Sequence, residues 1–108
     1  MLIKIAEDFT IAPGGREIAE GPYSGELFRK KLLGPLYEAA LETGEKLIVD
    51  FDGCFGYATS FLEESFGGLV RERREKGILR NIELISNDDI TVPMLINKYV
   101  EKAESELK

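Results

Sequence analysis

The chain has no histidine, one cysteine (Cys54), and fewer cations than anions, with 14 lysines and arginines against 20 aspartates and glutamates. Without histidine, both the usual neutral-pH general base and the commonest zinc ligand are missing, which removes most hydrolase mechanisms. A single cysteine forms no intrachain disulfide. The net charge of −6 provides no basic face for a nucleic-acid backbone and disfavours an anionic membrane surface. Nowhere does an uninterrupted apolar run approach membrane-spanning length, and the opening MLIKIAEDFT acquires an acidic pair by position 8. These absences lead us to expect a cytoplasmic protein with a protein or small-molecule partner, no nucleic acid, no membrane, no metal and no cofactor.

What remains suits a compact fold. A hydrophobic content of 44% over 108 residues supports one domain, residues 1–108, and is too little for two. Leu2, Ile3, Ile5 and Phe9 predict a first strand, and the loop-rich PGGREIAEGPYSG (residues 13–25) holds a few residues able to form a short second one. From Ser24, an N-cap candidate, apolar residues from Leu27 to Leu41 recur at helical spacing until Gly44, with Gly34-Pro35 kinking or splitting the helix. Lys46 to Asp52 reads as a central strand covered on both faces. Ser60 with Glu63 predicts a capping box opening a helix that runs to Gly77, its RERREK end (residues 71–76) forming solvated turns. Ile78 to Ile85 predicts another strand. Thr91 and Pro93 start a last helix with Leu95, Tyr99, Val100, Ala103 and Leu107 inward. Strands alternating with helices predict an α/β sandwich, a small mixed sheet packed with about three helices.

The chemistry concentrates in LIVDFDGCFGYATSF, residues 47–61. Asp50 and Asp52 admit two readings. Aspartates at a strand end accept hydrogen bonds from loop amides and so hold a turn at Gly53 and Gly56. Alternatively, they line one pocket with Thr59 and contact a partner or a cation. At the start of the next helix, Thr59 and Ser60 would lie beside free N–H groups and the positive end of the helix dipole, where an anion or a phosphate is favoured. The bland reading is that Ser60 caps the helix and Thr59 is a loop hydroxyl. Cys54, with no basic neighbour in sequence, reads as a small core residue. Arg16 in PGGR and Arg29 after GPYSG pair with a phosphate or, as the simpler expectation, with acidic side chains. The GPYSG segment and the loop after Asp52 are candidates to converge. Gly67-Gly68 inside a helix predicts close packing on the sheet or on another protein.

Three resemblances bear on this stretch. The run of apolar residues followed by Asp50-Phe51-Asp52-Gly53 resembles the first motif of the haloacid-dehalogenase phosphatases, and ISNDD (residues 85–89) resembles their distal acidic pair. That resemblance implies Asp50 as nucleophile and Asp52 as acid and base beside magnesium. Yet too little chain follows Asp50 for the several βα units such an enzyme needs, and Cys54 stands where that family has threonine. The span from Leu47 to Leu62 resembles the STAS fold of anti-sigma-factor antagonists, which places a phosphorylatable hydroxyl at Thr59, with Ala58 and Phe61 in place of that family's usual aspartate and glycine. Closer still, PGGR (13–16), GPYSGELFR (21–29) and VDFDGCFGYATSFLEESFGGLVRE (49–72) resemble an uncharacterised STAS-like bacterial family over residues 3 to about 86. This resemblance implies a single STAS-like domain and a non-enzymatic switch module, working with a kinase-like ATPase or another regulator. The working surface would run from Asp52 to Gly68. The rival readings are the magnesium-dependent phosphatase and a module binding a nucleotide or other small anion.

Overall fold

The computed structural model describes residues 1–108. Its first strand, β1 (Leu2–Lys4), is shorter than expected, because the Asp8 carboxylate accepts the Lys4 N–H at 2.8 Å and turns the chain into a short helix, α1 (Ile5–Asp8). No strand forms between residues 13 and 25. Side-chain carboxylates take the amides a ladder would use: Glu20 accepts from Glu17 N at 2.9 Å and Glu26 from Ile18 N at 2.9 Å, leaving a single 3₁₀ turn, Ile18–Glu20.

Ser24 caps the next helix, α2 (residues 25–43), its Oγ accepting from Leu27 N at 3.1 Å, and Gly44 ends it at φ 76°. The Gly34-Pro35 pair does not split α2. A π turn over Arg29–Leu33, closed by Gly34 N on the Arg29 carbonyl, widens the ladder ahead of the proline. This is where an unmodified α-helix would set the proline ring against the carbonyl four residues back. The strand β2 (Leu47–Asp50) leads through a long loop to α3 (residues 59–73), which carries its own π turn over Glu63–Gly67. α3 ends earlier than expected, at Arg73, with Arg74 in the left-handed conformation at φ 54°. A 3₁₀ turn (Ile78–Asn81) then shortens the final strand to β3 (Ile82–Ile85), and α4 (Thr91–Ser105) closes the domain.

The strands lie in the order β1-β2-β3 and all run parallel, with Ile3 opposite Val49 and Val49 opposite Leu84. The expected mixed sheet gives way to a parallel one because the segment between β1 and α2 adds no reversed strand. Sequential order has a second effect. Right-handed crossovers that step across a sheet in one direction place their helices on the same face. Ile3, Leu47, Val49 and Ile82 are accordingly buried, whereas Leu2, Lys4 and Glu83 on the opposite face are exposed and Ile48 and Asp50 are half-exposed. Covering of β2 on both faces is thus corrected to one. On the covered face, Phe28, Leu33 and Tyr37 of α2, Phe61, Phe66 and Leu69 of α3, and Val92, Ile96 and Val100 of α4 share one core. Leu95, Tyr99 and Leu107 flank that core half-buried.

α2 and α3 cross closely. A Cβ on Gly25 would stand 2.6 Å from the Phe61 carbonyl oxygen, and one on Gly68 would strike the Arg29 guanidinium. The expected close packing at Gly67-Gly68 is therefore against α2, not the sheet. Arg29, 7% exposed, donates from Nη1 to the Glu64 carbonyl at 2.7 Å and its carboxylate at 2.6 Å, and from Nε to Glu72 at 3.2 Å, joining the two π turns.

Candidate functional site

Parallel strands carry their following loops to one end of the sheet, the end where α/β folds gather their sites. The loop after β2 and the loop after β3 meet there and hold each other. Asp50 Oδ1 accepts the Asp52 amide at 2.9 Å, closing a local turn. The Asp52 carboxylate crosses to the other loop and accepts Asn87 N at 2.7 Å, Asn87 Nδ2 at 2.9 Å and Asp88 N at 2.8 Å. In return Asp88 Oδ2 accepts Gly53 N at 2.9 Å, with Gly53 at φ 92°. The bond from the Asp88 amide, reinforced by Asn87, holds the Asp52 carboxyl below the usual carboxylate range. Both aspartates are thus engaged in shaping loops, and no three acidic or thiol side chains come together to hold a metal ion.

The rest of the β2 loop is pinned as firmly. Tyr57 Oη donates to the Phe51 carbonyl at 2.7 Å and lies 3.0 Å from the Cys54 sulfur, which reaches the Thr10 carbonyl at 3.4 Å. Burial pushes the Tyr57 phenol well above its ordinary value and raises the Cys54 thiol as well. Phe55 N donates to the Ile11 carbonyl at 2.9 Å, so the backbone at Phe55 is fixed while its ring stands 85% exposed. A cleft of 200 Å³ lies beside it, lined among others by Phe55, Gly56, Tyr57, Ser86, Asp88 and Asp89. Neither Asp50, Asp52 nor Thr59 lines that cleft, so the shared pocket expected for them is not formed. Directly after Asp89 come Ile90, 76% exposed, and one helical turn later Met94, 69% exposed. Sequence reasoning missed these apolar residues; the available signal was a phenylalanine between Cys54 and Gly56, in a loop rather than a periodic stripe.

Thr59 is exposed and Ser60 half-buried at the start of α3. The expected capping box is absent. Ala58 is the N-cap and has no capping side chain, since the helix starts one residue before Ser60 would cap it. Glu63 is instead drawn to the guanidinium groups of Arg16 and Arg71, at 2.7 Å for Arg71 Nη1. Burial works against its charge, but hydrogen bonds from Arg71 and Arg16 hold the Glu63 carboxyl below its usual range. Arg16 and Arg29 thus pair with acidic side chains, and Ser24 is a cap. PGGR and GPYSG pair with each other, Gly14 N on Tyr23 O at 3.1 Å and Gly25 N on Gly15 O at 3.0 Å, and GPYSG meets α3 through Gly25 rather than the loop after Asp52.

A three-stranded parallel sheet with its helices on one face and paired loops at its carboxyl end defines a small α/β sandwich. No helix is long and apolar enough to cross a membrane. Residues 24–91 match the family described as STAS-like domain of unknown function (DUF4325), and the chain belongs to that family. No curated protein and no solved structure matches the chain.

Proposed function

We propose that this domain is a regulatory protein-interaction module that catalyses no reaction and docks its partner through the carboxyl end of the sheet. The observation that carries the reading is the exposure of Phe55 on the β2 loop, at 85%, and of Ile90 and Met94 at the start of α4, at 76% and 69%, beside loop backbones that are hydrogen-bonded in place. Large apolar side chains grouped on a fixed surface are the usual anchors of protein recognition. The STAS-like family membership supports the same reading. The partner class is a kinase-like ATPase or another regulator. Thr59, exposed at the first turn of α3 four residues past Phe55, is the phosphate-accepting position. A phosphate there would add about −1.5 to −2 charge at the border of the docking surface, next to N–H groups that the helix leaves unpaired.

Two experiments test this. Wild-type and Phe55→Ala baits are compared in pull-downs from the native cell, both checked for an unchanged thermal midpoint. A protein retained by wild type and lost by Phe55→Ala supports the surface; equal retention of every captured protein refutes it. Intact mass and fragmentation of the native protein address the switch. A phosphate on Thr59 supports gating, and an unmodified Thr59 under all growth conditions removes it.

A further inference from the structure

Away from the paired loops, α3 and α4 border a cleft of 440 Å³. Four cations line it, Arg16, Arg71, Lys98 and Lys102, against two carboxylates, Glu63 and Glu106. This is the reverse of the chain's overall balance of 14 cations to 20 anions. Of the two carboxylates, Glu63 is already shared between Arg71, at 2.7 Å and 3.2 Å, and Arg16. Lys98 and Lys102 stand one turn apart on α4 and repel each other, and their ammonium groups have neither an ion pair within 4.0 Å nor a hydrogen bond. The Nε–H groups of Arg16 and Arg71 and the Tyr99 hydroxyl also bond to nothing in the chain. An adjoining cleft of 350 Å³ shares Arg71 and Glu106 and adds Arg74 and Lys108.

We propose that the α3–α4 cleft binds a small polyphosphate, inorganic or carried by a nucleoside. Two free ammonium groups on residues four apart, about 6 Å along the helix axis, call for a ligand carrying more than one negative charge. Guanidinium and ammonium donors together suit phosphate oxygens. The volume is that of a small-molecule site. A long polyanion is disfavoured because the surrounding surface, in a chain of net charge −6, repels whatever extends beyond the cleft. Arg16 and Arg71 would keep Glu63 as a common partner, with Glu64 Oε1 at 3.4 Å and 3.9 Å from them, and offer their remaining N–H groups.

The test is calorimetric titration of the full chain at low salt with sodium tripolyphosphate, then ATP, orthophosphate and a poly-glutamate peptide. Lys98→Gln/Lys102→Gln is run in parallel. Both lysines are exposed, so the double variant should keep the wild-type thermal midpoint. Tripolyphosphate should bind more tightly than orthophosphate, and the double variant should lose roughly tenfold or more in affinity. ATP binding more tightly than tripolyphosphate assigns a nucleoside carrier; equal or weaker binding assigns the phosphate chain alone. The proposal is overturned by no heat with tripolyphosphate, by equal affinity in the folded double variant, or by tighter binding of poly-glutamate.

Discussion

Replacing Gly25 with alanine tests the α2–α3 crossing directly. The added Cβ would stand 2.6 Å from the Phe61 carbonyl oxygen, 3.0 Å from Glu64 Cβ and 3.1 Å from Ser65 Oγ. A carbonyl inside a helix cannot rotate away, so the helices must part by roughly 0.7 Å to restore ordinary contact. A gap of about 0.5–1 Å forfeits a quarter to a half of the dispersion energy of the pairs it opens. Those pairs include Phe28 on Phe61, with ring centroids 5.5 Å apart. Overpacking of this kind costs about 1–3 kcal/mol, set against less than about 1 kcal/mol of helix propensity gained at the first helical position. The expected net loss is about 1–2 kcal/mol, or roughly 5–10 °C in Tm. Urea unfolding of Gly25→Ala should show a lowered midpoint with an unchanged slope. Gly14→Ala in the same loop pair is the control, for its added Cβ would meet nothing within 4 Å. It should lie within about 0.5 kcal/mol of wild type. A Gly25→Ala protein as stable as Gly14→Ala would refute the close crossing.

Ala58→Asp supplies the side-chain cap that α3 lacks and should stabilise by about 1 kcal/mol in thermal unfolding, whereas Ser60→Ala should change stability by less than about 0.5 kcal/mol. Arg29→Lys retains the charge but loses the two-sided grip on Glu64 and Glu72; we expect a loss of about 1–3 kcal/mol in urea unfolding. Asp52→Ala should speed hydrogen exchange at the Asn87 and Asp88 amides. Because the folded-state Asp52 carboxyl ionises below its unfolded value, the protection it confers in the wild type is complete above about pH 4 and lost as pH falls below that. Tyr57 should remain a phenol where free tyrosine ionises, near pH 10, so Tyr57→Phe should leave the absorbance change measured there equal to that of the wild type.

The helices and the central strand were legible because their signals are local. Ser24 caps, Gly44 stops α2, and the apolar run Leu47-Ile48-Val49 marks a strand in the core. What escaped reading depended on distant partners. The first strand ends early because Asp8 reaches back to Lys4, and Glu63 leaves Ser60 because Arg16 and Arg71 compete for it. One-sided covering of the sheet follows from strand order, which periodicity does not encode. Of the candidate site, the aspartates' position at the strand end was readable, but the bonds of Asp52 to Asn87 and Asp88 join residues about 35 positions apart. Phe55, Ile90 and Met94 carried no periodic pattern, and the Lys98–Lys102 pair reads from sequence as an ordinary solvated face.

The π turn in α3 gives that helix one residue of slack, in one direction only. Gly68 N closes on the Glu63 carbonyl, five residues back, so one residue more than an α-helix requires fits between the start of α3 and its buried end at Leu69 and Val70. Deleting a single residue between Glu63 and Gly67 would let a regular helix span the same turn with everything after it still in phase, whereas inserting one there would turn everything after it by about 100°. With that insertion Leu69 and Val70 would leave the core, and Arg71 would swing away from Glu63, in one step. Inserting or removing a residue in the loop before Thr59 changes no such phase. Length variants should therefore be tolerated in the loop before Thr59, and in the turn that follows as a single deletion but not as an insertion.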